Sequence, residues 1–211
     1  MKKQGLAIFD MDGTLLDSMP YWGNLGRNYL MKKGVKVPDD LEQSIEVMTL
    51  EESAAYFKHE FHLKESVEEI LNESLQTIRL AYQFEIPAKS GMKEVLKKER
   101  TEGKDIVLLT SSDASILRPA LKRTGLLSYF DELYTSSQLE MRKDDKKIFE
   151  KVCEIRGYQP EDTVVYDDAL FAIKAAREAG CRVIAVYDES SEENWNEIVS
   201  LSDEQIIHHK C

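Results

Sequence analysis

Two aspartates one residue apart, Asp10 and Asp12, follow the apolar run "LAIF" (6–9) and lead into Gly13 and Thr14. Side chains two apart on an extended chain face the same way, so this pair can point into one site, and glycine lets the backbone turn sharply after it. A second acidic pair, Asp167 and Asp168, follows "TVVY" (163–166), while "DIVLLT" (105–110) ends in Thr110 and continues into Ser111 and Ser112. Four clustered carboxylates would repel one another by about 4 kcal/mol per close pair at an intermediate dielectric. A bound cation is the simplest remedy. All-oxygen ligation predicts Mg²⁺, which keeps several waters and shares its shell with a substrate phosphate.

The elements that must position these groups follow from the apolar pattern. "LAIF", "DIVLLT", "TVVY" and "RVIAVY" (182–187) are short, unbroken runs that fit strands buried on both faces, as in a parallel sheet covered by helices. Amphipathic helical stretches separate them. Those at 91–103, 115–125, 145–157 and 169–180 each stop at a glycine, a natural helix C-terminus. Alternating strands and helices predict an α/β, Rossmann-like doubly wound parallel sheet, whose strand ends converge on one edge where ligands bind. From 18 to 88 the rhythm changes: "NLGRNYLMKKG", "LEESAAYFKHEF" and "SVEEILNESLQTIRLAYQF" are helical in pattern, with no convincing strand and with Pro20 and Pro87 at the borders. An all-helical insertion is expected there, with 1–17 and 89–211 forming the α/β core.

Composition bounds the partners. The 211 residues carry 28 basic and 39 acidic side chains, a net charge of −11, so the surface should repel nucleic acid and anionic membrane. Cys153, Cys181 and Cys211 are widely spaced and odd in number, which suits a reducing compartment better than a disulfide framework. No apolar run approaches membrane-spanning length, and the first ten residues are too polar for a signal-peptide core. A cytoplasmic protein is expected, monomeric or weakly dimeric.

"DMDGTLLDS" (10–18), "LLTSS" (108–112), Lys143 and "VVYDD" (164–168), in this order, resemble the four motifs of the haloacid dehalogenase superfamily. The branch they resemble is that of small phosphatases and β-phosphoglucomutase-like proteins with a helical cap, and the insertion at 18–88 falls where the cap belongs. The resemblance implies a fold and a mechanism. Asp10 would be the nucleophile, taking the phosphoryl group as an aspartyl-phosphate. Asp12 would protonate the leaving oxygen and later activate water. Thr110, with the backbone at Ser111, would hold phosphoryl oxygens, and Lys143 would neutralise charge in flight. Asp168, with Asp167, would hold Mg²⁺ together with the Asp10 carboxylate and the Asp12 main-chain carbonyl.

Family members usually have proline after the third-motif lysine, whereas "RKDDKKIF" (142–149) has none. Lys143, six residues before Phe149, is preferred, with Lys146 as the alternative. "ALF" (169–171) stands where relatives often carry Ser-Pro-Asn, which removes a contact to the metal shell. Met19, Tyr21 and Trp22 follow the first motif closely and either line the substrate pocket or pack cap against core. The insertion holds 7 basic and 12 acidic residues, which favours a small phosphomonoester metabolite over a multiply phosphorylated ligand. The resemblance also admits a sugar-phosphate mutase, although Trp22 stands where those mutases have a cap histidine and Leu50 about where they have a phosphate-binding arginine. From another class, a non-catalytic phosphoacceptor or binding protein would use the same acidic cluster. His59 and His62 lack partners for a zinc site, and "HHKC" (208–211) reads as a frayed end.

Overall fold

The computed structural model describes residues 4–45 and 48–207. The "HHKC" end lies outside them. The chain divides into two compact units, Met1–Ser18 with Pro87–Cys211, and Met19–Ile86.

In the first unit six parallel strands form one sheet: β1 (Leu6–Phe9), β2 (Asp105–Thr110), β3 (Glu132–Thr135), β4 (Thr163–Asp167), β5 (Arg182–Val186) and β6 (Glu204–Ile206). Their order is β3-β2-β1-β4-β5-β6. The chain leaves β1 for one side of the sheet and returns to pair β4 on the other, which makes the carboxyl end of β1 the topological switch point. β1, β2 and β4 are buried along their whole length, as their unbroken apolar runs require. Leu6, Ile8, Val107, Leu109 and Val165 pack on Ile148, Phe149, Val152 and Ile173 from the covering helices. Phe9 stacks on Tyr166 with ring centroids 4.2 Å apart. The α/β core is therefore the doubly wound sheet that the sequence predicts.

Two strands are additions to that reading. β3 ("ELYT") and β6 ("EQI") are the edge strands, short and partly exposed. With one flank open to water they need no continuous apolar run, and a pattern search built on buried runs passes over them.

The second unit is all helical among its described residues: α1 (Met19–Gly23), α2 (Leu25–Lys32), α3 (Leu41–Ile45), α4 (Leu50–Glu60) and α5 (Val67–Phe84). Reciprocal capping boxes start the two longest helices, Thr49 with Glu52 and Ser66 with Glu69. Tyr29, Leu30, Leu41, Ala54, Phe57 and Ile70 form its core. Gly26 lets α2 approach Phe57, where a Cβ would lie 2.7 Å from the ring. No helix of the described chain is long and apolar enough to cross a membrane.

The remaining helices belong to the first unit: α6 (Met92–Thr101), α7 (Ala114–Arg123), α8 (Ser136–Leu139), α9 (Lys147–Arg156), α10 (Leu170–Glu178) and α11 (Trp195–Leu201).

Candidate active site

Phe9 pairs in register with Leu108 of β2 and Tyr166 of β4, so Asp10 emerges level with the ends of both neighbouring strands. Its backbone N–H still donates to the Tyr166 carbonyl at 2.9 Å, which fixes the residue before the chain turns away. The turn is tight: Leu15 and Leu16 N–H both donate to the Met11 carbonyl, at 2.9 and 2.8 Å. Gly13 sits in it at φ +81°, a left-handed conformation that favours glycine. Space also demands glycine there, because a Cβ would lie 2.3 Å from Asp168 Oδ2.

Three carboxylates meet behind this turn. Ligand oxygens of Asp10, Asp167 and Asp168, all buried, lie within 4.8 Å of one another. The Lys143 ammonium, itself buried, bridges two of them at 2.6 Å to Asp10 Oδ1 and 2.6 Å to Asp167 Oδ2. Lys146 takes no part: it is exposed, with its ammonium 3.7 Å from Glu150. The other oxygen of Asp167 accepts the Ala169 N–H at 3.0 Å, so Asp167 is committed on both sides. Asp168 Oδ1 accepts the Thr14 hydroxyl at 2.8 Å.

Burial pushes the Asp10 carboxyl up from 3.8 to about 7; Lys143 opposes the rise, while Asp167 and Asp12 add to it. Burial likewise holds Asp168 well above the carboxylate range, reinforced by Asp167 and Asp10 and opposed by Thr14 and Lys89. For Lys143 burial acts downward, but the two carboxylates outweigh it and the ammonium stays charged. Lys143 pairs with only two of the three acidic groups. A divalent metal fits this excess of negative charge and the all-oxygen donor set, and Asp10, Asp167 and Asp168 are the residues that could hold it.

Asp12 is oriented by two hydroxyls, Ser18 Oγ at 2.8 Å on one oxygen and Ser112 Oγ at 2.5 Å on the other. Thr110, buried at the end of β2, accepts the Ser112 N–H at 3.1 Å, and Asp113 caps α7 through the Ser115 N–H. Ser111 faces solvent, its hydroxyl 3.3 Å from that of Ser136. A cavity of about 370 Å³ opens here, lined by Ser111, Ser136, Arg142, Lys143, Asp144 and Phe171. Phe171, in the "ALF" that departs from the resembled pattern, is 52% exposed.

The structure thus gathers Asp10, Thr110, Ser111, Lys143, Asp167 and Asp168 at one sheet edge, with Asp12 alongside. Met19, Tyr21 and Trp22 belong to the helical unit, half-buried in α1; Trp22 Nε1 donates to the Tyr82 hydroxyl at 2.8 Å. Sequence reasoning gave no role to four residues that touch the site: Thr14, Ser18, Ser112 and Lys89. The first three lie within the quoted motifs, but their spacing alone does not show that Thr14 meets Asp168 or that Ser18 and Ser112 meet Asp12. Lys89 lies in none.

The chain is similar to known proteins over most of its length. A family model described as haloacid dehalogenase-like hydrolase matches residues 7–186. A phosphorylated carbohydrates phosphatase of Thermotoga maritima is 26% identical over 174 residues, covering 82% of this chain and 81% of the relative. The GMP/IMP nucleotidase of Escherichia coli is 27% identical over 188 residues, covering 83% and 79%. A crystal structure from Thermotoga maritima, described as a candidate β-phosphoglucomutase, superposes with a TM-score of 0.84 at 23% identity, covering 96% of this chain and 94% of that one.

Proposed function

The chain belongs to the family of haloacid dehalogenase-like hydrolases, and from that premise we propose that it is an Mg²⁺-dependent phosphatase of a small phosphomonoester metabolite, acting through an aspartyl-phosphate on Asp10. The observation that carries this reading is the Lys143 ammonium held between Asp10 and Asp167 at the switch point of the sheet, with Asp168 beside them.

Asp10 attacks phosphorus and the ester oxygen leaves. Asp12, oriented by Ser18 and Ser112, donates a proton to that oxygen and later takes one from the water that cleaves the acyl-phosphate. The Thr110 hydroxyl and the backbone at Ser111 hold phosphoryl oxygens, and Lys143 offsets charge on the group in transfer. Asp167, anchored by the Ala169 N–H on one oxygen, keeps Lys143 in place through the other. Asp10 and Asp168, with Asp167 nearby, would hold the cation, which would supply charge to screen the nucleophile from the phosphate it approaches.

Relatives named for sugar phosphates and for nucleotides favour a small phosphorylated metabolite as substrate. The mutase alternative is disfavoured by Trp22: an indole N–H does not exchange protons at neutral pH, and this one is committed to Tyr82. Phosphate release from p-nitrophenyl phosphate, measured with Mg²⁺ and with excess chelator, tests the reading. Release that depends on Mg²⁺ is expected; undiminished release in chelator overturns the metal assignment, and no release under any condition favours a binding or phosphoacceptor protein.

A further inference from the structure

The Lys89 ammonium reaches into the turn that follows Asp10. Its Nζ donates to the Gly13 carbonyl and pairs with Asp188 Oδ2 at 2.7 Å, the two side chains being only 13% and 5% exposed. Its own backbone N–H donates to the Leu15 carbonyl at 2.8 Å, so one residue grips the turn at both ends. This is where the chain re-enters the α/β unit: Leu16 bridges Ala88, and Asp17 N–H donates to the Pro87 carbonyl at 3.1 Å.

From Lys89 the contacts run in a closed ring. Gly13 packs on the Asp168 carboxylate, and the next residue, Thr14, donates to it at 2.8 Å. The Asp168 carbonyl accepts the Ser191 hydroxyl at 2.8 Å. Ser191 lies in the 3-10 turn Glu189–Asn194, which Asp188 caps by accepting from the Ser190 N–H at 3.0 Å and the Ser190 hydroxyl at 2.7 Å. Asp188 then closes on Lys89.

We propose that Lys89 and Asp188 form a positioning pair for the divalent-cation site. Lys89 fixes the turn against which the Asp168 carboxylate rests; Asp188 fixes Lys89 and offsets its charge, so that an ammonium next to the site does not repel the metal. The inference rests on the divalent-cation reading of the site. It also separates position from charge. If Lys89 acted by charge alone, removing it would tighten cation binding; if it positions the ligand, removing it weakens binding even though a repelling charge has gone.

The experiment measures Mn²⁺ binding directly, by the electron spin resonance signal of free Mn²⁺, on wild type and on Lys89→Met, Lys89→Arg and Asp188→Asn, with thermal melts alongside. Losses of about tenfold or more in affinity are expected for Lys89→Met and Asp188→Asn, as when partners that orient metal ligands are removed. Arginine at 89 should retain most of the affinity, since a guanidinium can serve both acceptors. If methionine at 89 prevents folding, a Lys89→Gln variant decides, because it also discards the charge, and its shorter amide cannot both fix the turn and pair with Asp188, so weaker binding again marks positioning and tighter binding marks charge. Lys89→Met binding Mn²⁺ as tightly as wild type or tighter, or a lowered melting temperature with unchanged affinity, would overturn the proposal. Wild type that binds no Mn²⁺ would instead overturn the reading of the site, and this inference with it.

Discussion

Lys143 and Lys146 are three residues apart and chemically identical, yet one is buried between two carboxylates and the other is solvated. Replacing Lys143 with alanine leaves two buried carboxylates, Asp10 and Asp167, without their cation, and removing one member of a buried ion pair costs about 3–5 kcal/mol. Phosphate release should fall by on the order of a hundredfold or more, and the melting temperature of the metal-free protein should drop. Lys146→Ala should change stability by less than about 0.5 kcal/mol and leave turnover as it was. The reverse outcome would move the third motif to Lys146. Asp12 offers a prediction about timing. With p-nitrophenyl phosphate, whose leaving group needs little protonation, Asp12→Asn should still phosphorylate Asp10 but stall at hydrolysis. Rapid-quench kinetics should then give a burst of about one product per enzyme and a protein one phosphoryl group heavier. Equal loss of burst and steady state would remove Asp12 from the second step.

At the scale of elements, what could be read in advance was what burial writes into the chain. β1, β2, β4 and β5 are covered on both faces and therefore spelled in Val, Ile and Leu, and α6, α7, α9 and α10, which pack on them, each run out at a glycine. β3 and β6 carry no such signature, since an edge strand is specified by the neighbour it pairs with rather than by its own residues. The site divides in the same way. Asp10, Asp12, Thr110, Asp167 and Asp168 stand at or just after the ends of strands that the apolar runs predict to be parallel, so their convergence was legible. Ser112 on Asp12 and Lys89 on Gly13 depend on side-chain reach across 100 and 76 positions of sequence, which no local pattern encodes. The turn at Gly13 is where element and site meet. Gly13→Ala forces φ +81° on a residue with a Cβ and drives that Cβ into Asp168. Because the obstacle is the carboxylate held by Thr14, the strain should appear as weaker Mn²⁺ binding and lost phosphatase activity, together with a lower melting temperature. Alanine at 13 with wild-type affinity would mean that Asp168 is free to move aside and is not a fixed ligand.

Across the whole molecule the excess of acidic over basic residues sets how stability should answer to pH. The capping-box carboxylates Glu52 and Glu69 are held below their ordinary values by the backbone and hydroxyl groups they meet, and stabilise the fold above about pH 4.5. Asp10 runs the other way. Burial raises it from 3.8 to about 7, so between those values the folded chain holds a proton there that the unfolded chain has released. Binding more protons when folded means that stability declines as pH rises through this window, and levels off once Asp10 is ionised in both states. Metal-free protein should therefore melt at a higher temperature at pH 5.5 than at pH 7.5 by more than the Asp10→Asn variant does, since the groups outside the site are common to both. Adding Mg²⁺ should reverse the slope, because the cation binds the ionised carboxyl and must displace the proton at low pH. Differential scanning calorimetry of wild type and Asp10→Asn, each with chelator and with Mg²⁺, reads both effects. Identical pH slopes for the two metal-free proteins would mean that Asp10 is already ionised in its pair with Lys143, and that the cation meets a carboxylate rather than an acid.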